Sequence, residues 1–365
     1  MHKRWLKYPR LFLGLGKALW SRVGRKGKRN NFDVWVVVTR KAYLFKMRQG
    51  EINGTQENKS CFTRYSFGHH GCNVLGGGAL VMSKGALGSF YPVTLLIIQL
   101  MASVTFLWCV VAFRKASAPT ANVLVKLSFL GLLEPCLTYV LVLIGLTFTG
   151  ASEASLLQSL ESIMIVLLAM LLLKEIPSIN FIVLSAMILV GLFFALDIHG
   201  GNVKEVWFGA SLISLGMLSA AFYVVLSSRI AKEQDVFYIV ACQQTLALVA
   251  SILMLPLEWT IYPESKAFAA LPGSLEVWGL ALVSGIVQYA LAFSFYIYSL
   301  KYIRAGLAGM FLNLVPVIGV VGAVVFLGER LSLLQVGGAA LTIIALVLIA
   351  KNAASENTLK DYIKK

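Results

Sequence analysis

Residues 151–196, ASEASLLQSLESIMIVLLAMLLLKEIPSINFIVLSAMILVGLFFAL, align without a gap with residues 305–350, AGLAGMFLNLVPVIGVVGAVVFLGERLSLLQVGGAALTIIALVLIA. Ten of the 46 aligned positions are identical. Carried upstream, the same offset of 154 residues pairs Glu134 with Gln288, two polar residues that each lie within an apolar stretch. The sequence therefore predicts an internal duplication.

The composition of the chain excludes a soluble fold. Of its 365 residues, 58% are hydrophobic and 13% are charged, and the mean hydropathy is +0.79. An average soluble domain carries about 25% charged residues. A helix that crosses the hydrocarbon needs about 20 residues, because each residue adds 1.5 Å. These residues must also carry no exposed charge, because an unpaired charge in lipid costs several kcal/mol.

Charged residues mark where the predicted helices end. Seven stretches contain no charge, namely 93–113, 176–196, 206–228, 236–257, 277–300, 305–328 and 331–350. Three more are long enough if one charge is tolerated: 73–92 with Lys84, 127–152 with Glu134 and 154–173 with Glu161. We therefore predict an all-α membrane protein with ten transmembrane helices, the first of them short because the sequence before residue 73 is polar.

The ten helices divide into repeats at 73–197 and 206–352, followed by a tail at 353–365. Because five is odd, the second repeat enters the membrane inverted relative to the first, as in many secondary transporters. With a cytoplasmic amino terminus, the inner loops and the tail hold 12 Lys and Arg residues against three outside. This asymmetry predicts that both termini are cytoplasmic.

Residues 1–72 form a separate, basic extension. The first 64 residues hold 16 of the 32 Lys and Arg residues but three of the 17 acidic ones. Interleaved aromatic and leucine residues favour a poorly ordered or membrane-surface segment, with an organelle-targeting peptide as the alternative. His69 and His70 lie beside Cys72 without a second ligand pair, so no metal or cofactor is expected, and without a folded basic face no nucleic acid is expected either.

Two carboxylates are the main candidates for a functional site. Glu134 and Glu161 each lie about eight residues into a span, which places them roughly 10–12 Å deep. A carboxylate at that depth must be protonated, paired or hydrated. It either binds substrate or couples a proton in a central cavity, or it is structural and holds neighbouring helices together.

Lys84 is the one cation inside a predicted span and is a candidate partner for either carboxylate; the alternative is that it reaches a headgroup. The other candidates are polar or aromatic residues within spans, and each has interhelical hydrogen bonding as its alternative role. They are Gln99, Gln244, Gln288, Asn313, Tyr139 and Tyr223.

Two segments carry a family resemblance. The stretch 151–161, followed by an apolar helix ending in Lys174-Glu175, resembles the fourth helix of EamA-type transporters in the drug/metabolite transporter superfamily. Residues 309–330, with Pro316 and Gly328-Glu329-Arg330, resemble the ninth. The resemblance covers about residues 73–352 and implies a membrane carrier rather than an enzyme.

The leading hypothesis is a secondary transporter that moves a small metabolite, such as an amino acid, an amine or a related polar solute, by alternating access, with proton coupling as a candidate driving force. The alternatives are a nucleotide-sugar or sugar-phosphate exchanger and, in another class, a non-transporting receptor or assembly factor. We expect a plasma (inner) membrane location, with an organelle membrane as the alternative. The expected partners are lipid and a small-molecule substrate, and a homodimer is left open.

Overall fold

The computed structural model describes residues 72, 75–114, 121–174, 177–196, 203–230, 235–262, 274–301, 312 and 314–353. Residues 1–71, Asn313 and 354–365 lie outside this part, and with them the predictions for the extension and the tail. The described residues of the membrane bundle are helical and include no strand. All of them belong to one unit, Gln56–Lys365.

The first half contains five helices. They are α1 at 75–87, α2 at Pro92–Arg114, α3 from Ala121–Gly131 through a π-helical segment Leu132–Leu137 to Thr138–Phe148, α4 as Ala151–Leu157 and Ser159–Leu173, and α5 at Ile179–Ala195.

The second half repeats this order. It contains α6 at Val203–Ile230, α7 as Val236–Leu253 and Leu255–Ile261, α8 from Leu275–Gly285 through a π-helical segment Ile286–Ala292 to Phe293–Leu300, α9 as Leu314–Gly322 with a π-helical segment Ala323–Leu327, and α10 at Leu333–Ala353.

Six of these helices are long and apolar enough to cross a membrane: Pro92–Arg114, Leu124–Phe148, Ala151–Leu172, Val203–Ser228, Val236–Thr260 and Leu275–Leu300. Three shorter ones, Ile179–Ala195, Val315–Leu327 and Leu333–Ile349, are also apolar. Their outer surfaces carry large hydrophobic side chains, such as Leu215 and Val321, each 57% exposed. Such a surface requires lipid rather than water around it.

Close contacts between the halves use glycine. A Cβ on Gly131 of α3 would lie 2.0 Å from the Gln243 carbonyl oxygen of α7, and one on Gly285 of α8 would lie 2.4 Å from the Gln99 carbonyl oxygen of α2. Gly131 and Gly285 are separated by the repeat offset of 154 residues. The duplicated glycines thus let corresponding helices approach the opposite half at backbone distance.

Two glutamates of the second half cap helices of the first half at one end of the bundle. The carboxylate of Glu329 accepts hydrogen bonds from the amides of Ala151 (2.6 Å) and Ser152 (2.9 Å) at the start of α4. Glu258, 1% exposed, accepts from the amide of Val93 at 2.6 Å, at the start of α2. Both carboxylates therefore lie where the helix dipole favours negative charge.

The opposite end of the bundle holds a smaller charged group. Asp235 caps α7 by accepting from the amides of Phe237 (3.0 Å) and Tyr238 (3.1 Å), and it pairs with Arg114 of α2 at 3.7 Å. Burial lowers the pKa of Lys301 at the end of α8, and the Asp235 carboxylate opposes this shift. This end also joins the two halves, through α2 and α7.

We predict that two neighbouring glycines of α10 respond oppositely to alanine. In Gly338→Ala the new Cβ would lie 2.5 Å from the Gly191 carbonyl oxygen of α5, whereas a Cβ on Gly337 meets nothing within 4 Å. Gly338→Ala should lower the free energy of unfolding by about 1–3 kcal/mol. Gly337→Ala should leave it unchanged or raise it by up to about 1 kcal/mol. Thermal unfolding in nanodiscs measures both, and equal effects would contradict the α5–α10 contact.

We predict that Glu329→Ala destabilises the bundle by about 1–2 kcal/mol, because the first amides of α4 lose their acceptor. Glu276→Ala is the matched control, since Glu276 lies exposed in the first turn of α8. Thermal unfolding of the two variants makes the comparison. A Glu329→Ala midpoint equal to that of Glu276→Ala would mean that the cap contributes no stability.

Candidate functional site

A cavity of about 70 Å³ lies between the two halves of the bundle. Its polar lining consists of Glu134, Tyr139, Gln158, Glu161, Gln288 and Tyr296, and the other lining residues are Cys72, Gly76, Ala292, Phe293, Leu312 and Val315. Both halves contribute polar groups, because α3 and α4 belong to the first half and α8 to the second. Its volume is enough for a few water molecules.

Glu134 faces the cavity from a break in α3. Its backbone is extended (φ −144°, ψ 122°) within the π-helical segment, and the peptide bond to Pro135 is cis. Pro135 has no N–H to donate, so nearby carbonyls need other partners. The Leu133 carbonyl accepts hydrogen bonds from the hydroxyls of Thr138 and of Ser219 in α6, each at 2.9 Å. The backbone amide of Thr138 also donates to this carbonyl, so backbone and side-chain donors of the protein together satisfy it.

Gln288 lies in the corresponding π-helical segment of α8. The π-helical segments Leu132–Leu137 and Ile286–Ala292 begin 154 residues apart, which is the repeat offset. A π-helical segment widens the helix by one residue and commonly occurs at functional sites. The duplication thus places two wide turns, one carrying a carboxylate and the other an amide, on the same cavity.

Glu161 is the second carboxylate of the cavity. It lies in the first turn of Ser159–Leu173, directly after α4 is interrupted at Gln158. Glu161 is half-buried, Glu134 is buried, and the two carboxylates are close enough to repel each other electrostatically. The two negative groups predicted from the sequence therefore share one site.

A hydrogen bond joins the two halves across the cavity. The amide nitrogen of Gln288 donates to the Tyr139 hydroxyl at 2.7 Å. The Tyr139 ring meets Tyr289 edge to face, with ring centroids 4.8 Å apart. Tyr139 is thereby held in a single orientation with its hydroxyl toward the cavity.

Three polar atoms of the lining have no hydrogen-bond partner among the described residues. They are Oε1 of Gln158, Oε1 of Gln288 and the hydroxyl oxygen of Tyr296. Gln158 and Tyr296 were not among the residues predicted from the sequence. Spacing could have indicated both, because Gln158 precedes Glu161 by three residues, and Tyr296 follows Gln288 by two steps of four, so each pair shares a helix face.

Other predicted residues lie outside the cavity lining and join helices. The Gln99 amide donates to the hydroxyls of Ser83 (2.9 Å) and Ser284 (2.7 Å). The Gln244 amide donates to the Tyr289 carbonyl at 2.5 Å, and Tyr223 donates to the Gln243 amide oxygen at 2.9 Å. Their contacts fit the alternative role of interhelical hydrogen bonding.

Lys84 also lies away from the cavity, so the expectation that it pairs with Glu134 or Glu161 is not met. Its ammonium group donates to the carbonyls of Leu146 (2.5 Å) and Thr149 (2.7 Å) at the end of α3. The carboxylates that act on it electrostatically are Glu329 and Glu153. A cation at a helix carboxyl end is favoured by the free carbonyls and the helix dipole.

Comparison with known families decides what kind of protein this is. Residues 72–196 and 207–351 each match the EamA-like transporter family. The chain belongs to this family. The two matches confirm the family predicted from residues 151–161 and 309–330, and they correspond to the two repeats of an EamA-like transporter.

A solved structure shares the fold of this chain. One solved structure, described only as the crystal structure of a protein, superposes with a TM-score of 0.59 at 18% identity, covering 80% of this chain and 99% of that chain. At this identity the likeness shows a shared fold alone. No curated protein matches the sequence.

Family membership gives the cavity its context. EamA-like proteins are membrane transporters rather than enzymes, so this chain is a multi-pass membrane transporter of the drug/metabolite type.

We predict that substitutions of two buried tyrosines of this EamA-like transporter differ in their effect on thermal stability. The Tyr296 hydroxyl lines the cavity, whereas the Tyr223 hydroxyl joins two helices. Tyr296→Phe removes a hydroxyl without a partner, so thermal stability should be unchanged or slightly higher. Tyr223→Phe leaves the Gln243 amide oxygen without this donor and should lower the free energy of unfolding by about 1–3 kcal/mol. Equal loss of stability in both variants, measured by thermal unfolding, would contradict this assignment of the Tyr296 hydroxyl to the site.

Proposed function

We propose that the protein is a secondary transporter that carries a small polar metabolite across the membrane by alternating access. The observation that carries this proposal is the cavity between the halves, to which the corresponding π-helical segments of α3 and α8 supply Glu134 and Gln288. Transporters built from repeats bind their substrate at the repeat interface, beside discontinuous helices. Glu134 and Glu161 are the proposed binding and coupling carboxylates.

The size of the cavity supports alternating access. Binding sites for small molecules commonly have volumes of about 300–1,000 Å³. With about 70 Å³, the cavity must widen before a metabolite enters it. The interruptions of α3, α4 and α8 lie beside the cavity and provide the positions where such a change is absorbed without breaking whole helices.

We further propose ten spans arranged as two inverted repeats with both termini in the cytoplasm of a plasma (inner) membrane. Inversion is supported by the odd number of helices in each half and by the exchanged contacts of Gly131 and Gly285. Orientation rests on the distribution of Lys and Arg.

The rival functions receive less support. A nucleotide-sugar or sugar-phosphate exchanger binds anionic phosphate, which requires Lys or Arg. The described lining carries two carboxylates and neither of these cations. A receptor or assembly factor has no need of a buried cavity whose polar atoms lack partners, because a packed interior is more stable.

We predict that Glu161→Gln abolishes the pH dependence of uptake, because the amide cannot exchange a proton, while membrane insertion is retained. Uptake into proteoliposomes with an imposed pH gradient measures this for each solute that the wild type transports. Glu276→Gln is the control, since it makes the same chemical change on an exposed residue. Unchanged pH dependence in Glu161→Gln would remove Glu161 from the coupling step.

A further inference from the structure

The two carboxyl groups of the cavity have no cationic partner within its described lining. Glu134 and Glu161 contribute two carboxylates, and the other described lining residues include no Lys, Arg or His. Lys84, the cation expected from the sequence to balance them, is bound to carbonyls at the end of α3. Because a buried carboxylate without a partner is costly, such a group stays protonated until a cation enters the cavity and pairs with it.

Neutral groups of the same cavity also require a hydrogen-bond donor. Gln288 is 5% exposed, and its amide nitrogen is already committed to Tyr139, which leaves the amide oxygen as an acceptor without a partner. The Gln158 amide oxygen is likewise an acceptor without a hydrogen-bond partner among the described residues. The Tyr296 hydroxyl, on a residue 6% exposed, also has no partner. A ligand that donates several hydrogen bonds would satisfy these atoms.

From these two observations we infer that the substrate is a protonated primary amine with an apolar body and no anionic group. An ammonium group has three N–H donors, enough to reach a carboxylate and two neutral oxygens at once. The rings of Tyr139, Phe293 and Tyr296 line the same cavity and attract a cation through their faces. Leu312 and Val315 provide apolar contacts for the body of the substrate.

The inference rests on the proposed transport function and narrows its substrate class. An amino acid carries the same ammonium group, but its carboxylate would enter a cavity that already holds two carboxylates and no described cation. An alcohol of the same shape offers one donor and no charge. The cavity should therefore prefer the amine over both.

Two sets of matched probes test this preference. Phenethylamine, phenylalanine and 2-phenylethanol share an aromatic body, and butylamine, norvaline and 1-butanol share a short alkyl body. Binding to the purified full-length protein in nanodiscs is measured by isothermal titration calorimetry. In at least one set the amine should bind at least tenfold more tightly than its amino acid and its alcohol. Equal or weaker binding of the amine in both sets overturns the inference.

Variants assign the preference to the cavity. Glu134→Gln should weaken binding of the preferred amine at least tenfold and leave that of the matching alcohol unchanged, because the substitution removes charge but little volume. Glu276→Gln should leave both unchanged. Tyr296→Phe provides a second test if Glu134→Gln fails to fold. The Tyr296 hydroxyl has no hydrogen-bond partner among the described residues, and its removal should weaken amine binding several-fold. Full amine affinity in every folded cavity variant overturns the assignment.

Uptake into proteoliposomes separates this inference from the proposed function. Transport of the amines supports both. Transport of amino acids or sugar phosphates without transport of amines overturns the amine assignment and leaves the transporter standing. If none of these classes nor any other solute in a broad metabolite screen is transported, both proposals fail.

Discussion

Backbone polar groups inside a bilayer have no water to bind, and this constraint governs the whole chain. Continuous helices meet it alone, so any interruption needs a partner from elsewhere in the protein. At the break of α3 the Leu133 carbonyl accepts hydrogen bonds from the hydroxyls of Thr138 and Ser219. The break of α3, the interruption of α4 at Gln158 and the π-helical segment of α8 all contribute side chains to the cavity, which is the place where irregular backbone in a membrane protein is tolerated.

The sequence was sufficient for the helices and for part of the site. Uncharged stretches locate spans because charge is so costly in lipid, and the duplication pairs Glu134 with Gln288 without any structure. Pro135 signals a break in α3, but the π-helical segment of α8 has no proline to reveal it. Which polar residues of one helix face the cavity depends on helix rotation, so Gln288 and Gln99 look alike in sequence and differ in position.

Charged residues near helix ends were the hardest to interpret. Lys84 was expected to meet a carboxylate in the cavity, but it lies one turn from the end of α1 and reaches the carbonyls of α3. Glu258 and Glu329 were not among the candidate residues chosen from the sequence. Their partners are amides at the starts of other helices, and only tertiary packing determines which helix start lies within reach of a given side chain.

The hydrogen bonds by which Glu258 and Glu329 cap α2 and α4 affect how readily the two halves of the bundle separate at this end. Glu258 and Glu329 of the second half hold the starts of α2 and α4 of the first half. Separation of the halves at this end must break charge-assisted hydrogen bonds, each of which contributes about 1.5–3 kcal/mol. One such bond corresponds to a population ratio of roughly tenfold or more. In the proposed alternating-access cycle these two side chains, neither of which lines the cavity, would therefore limit how often this end of the transporter opens.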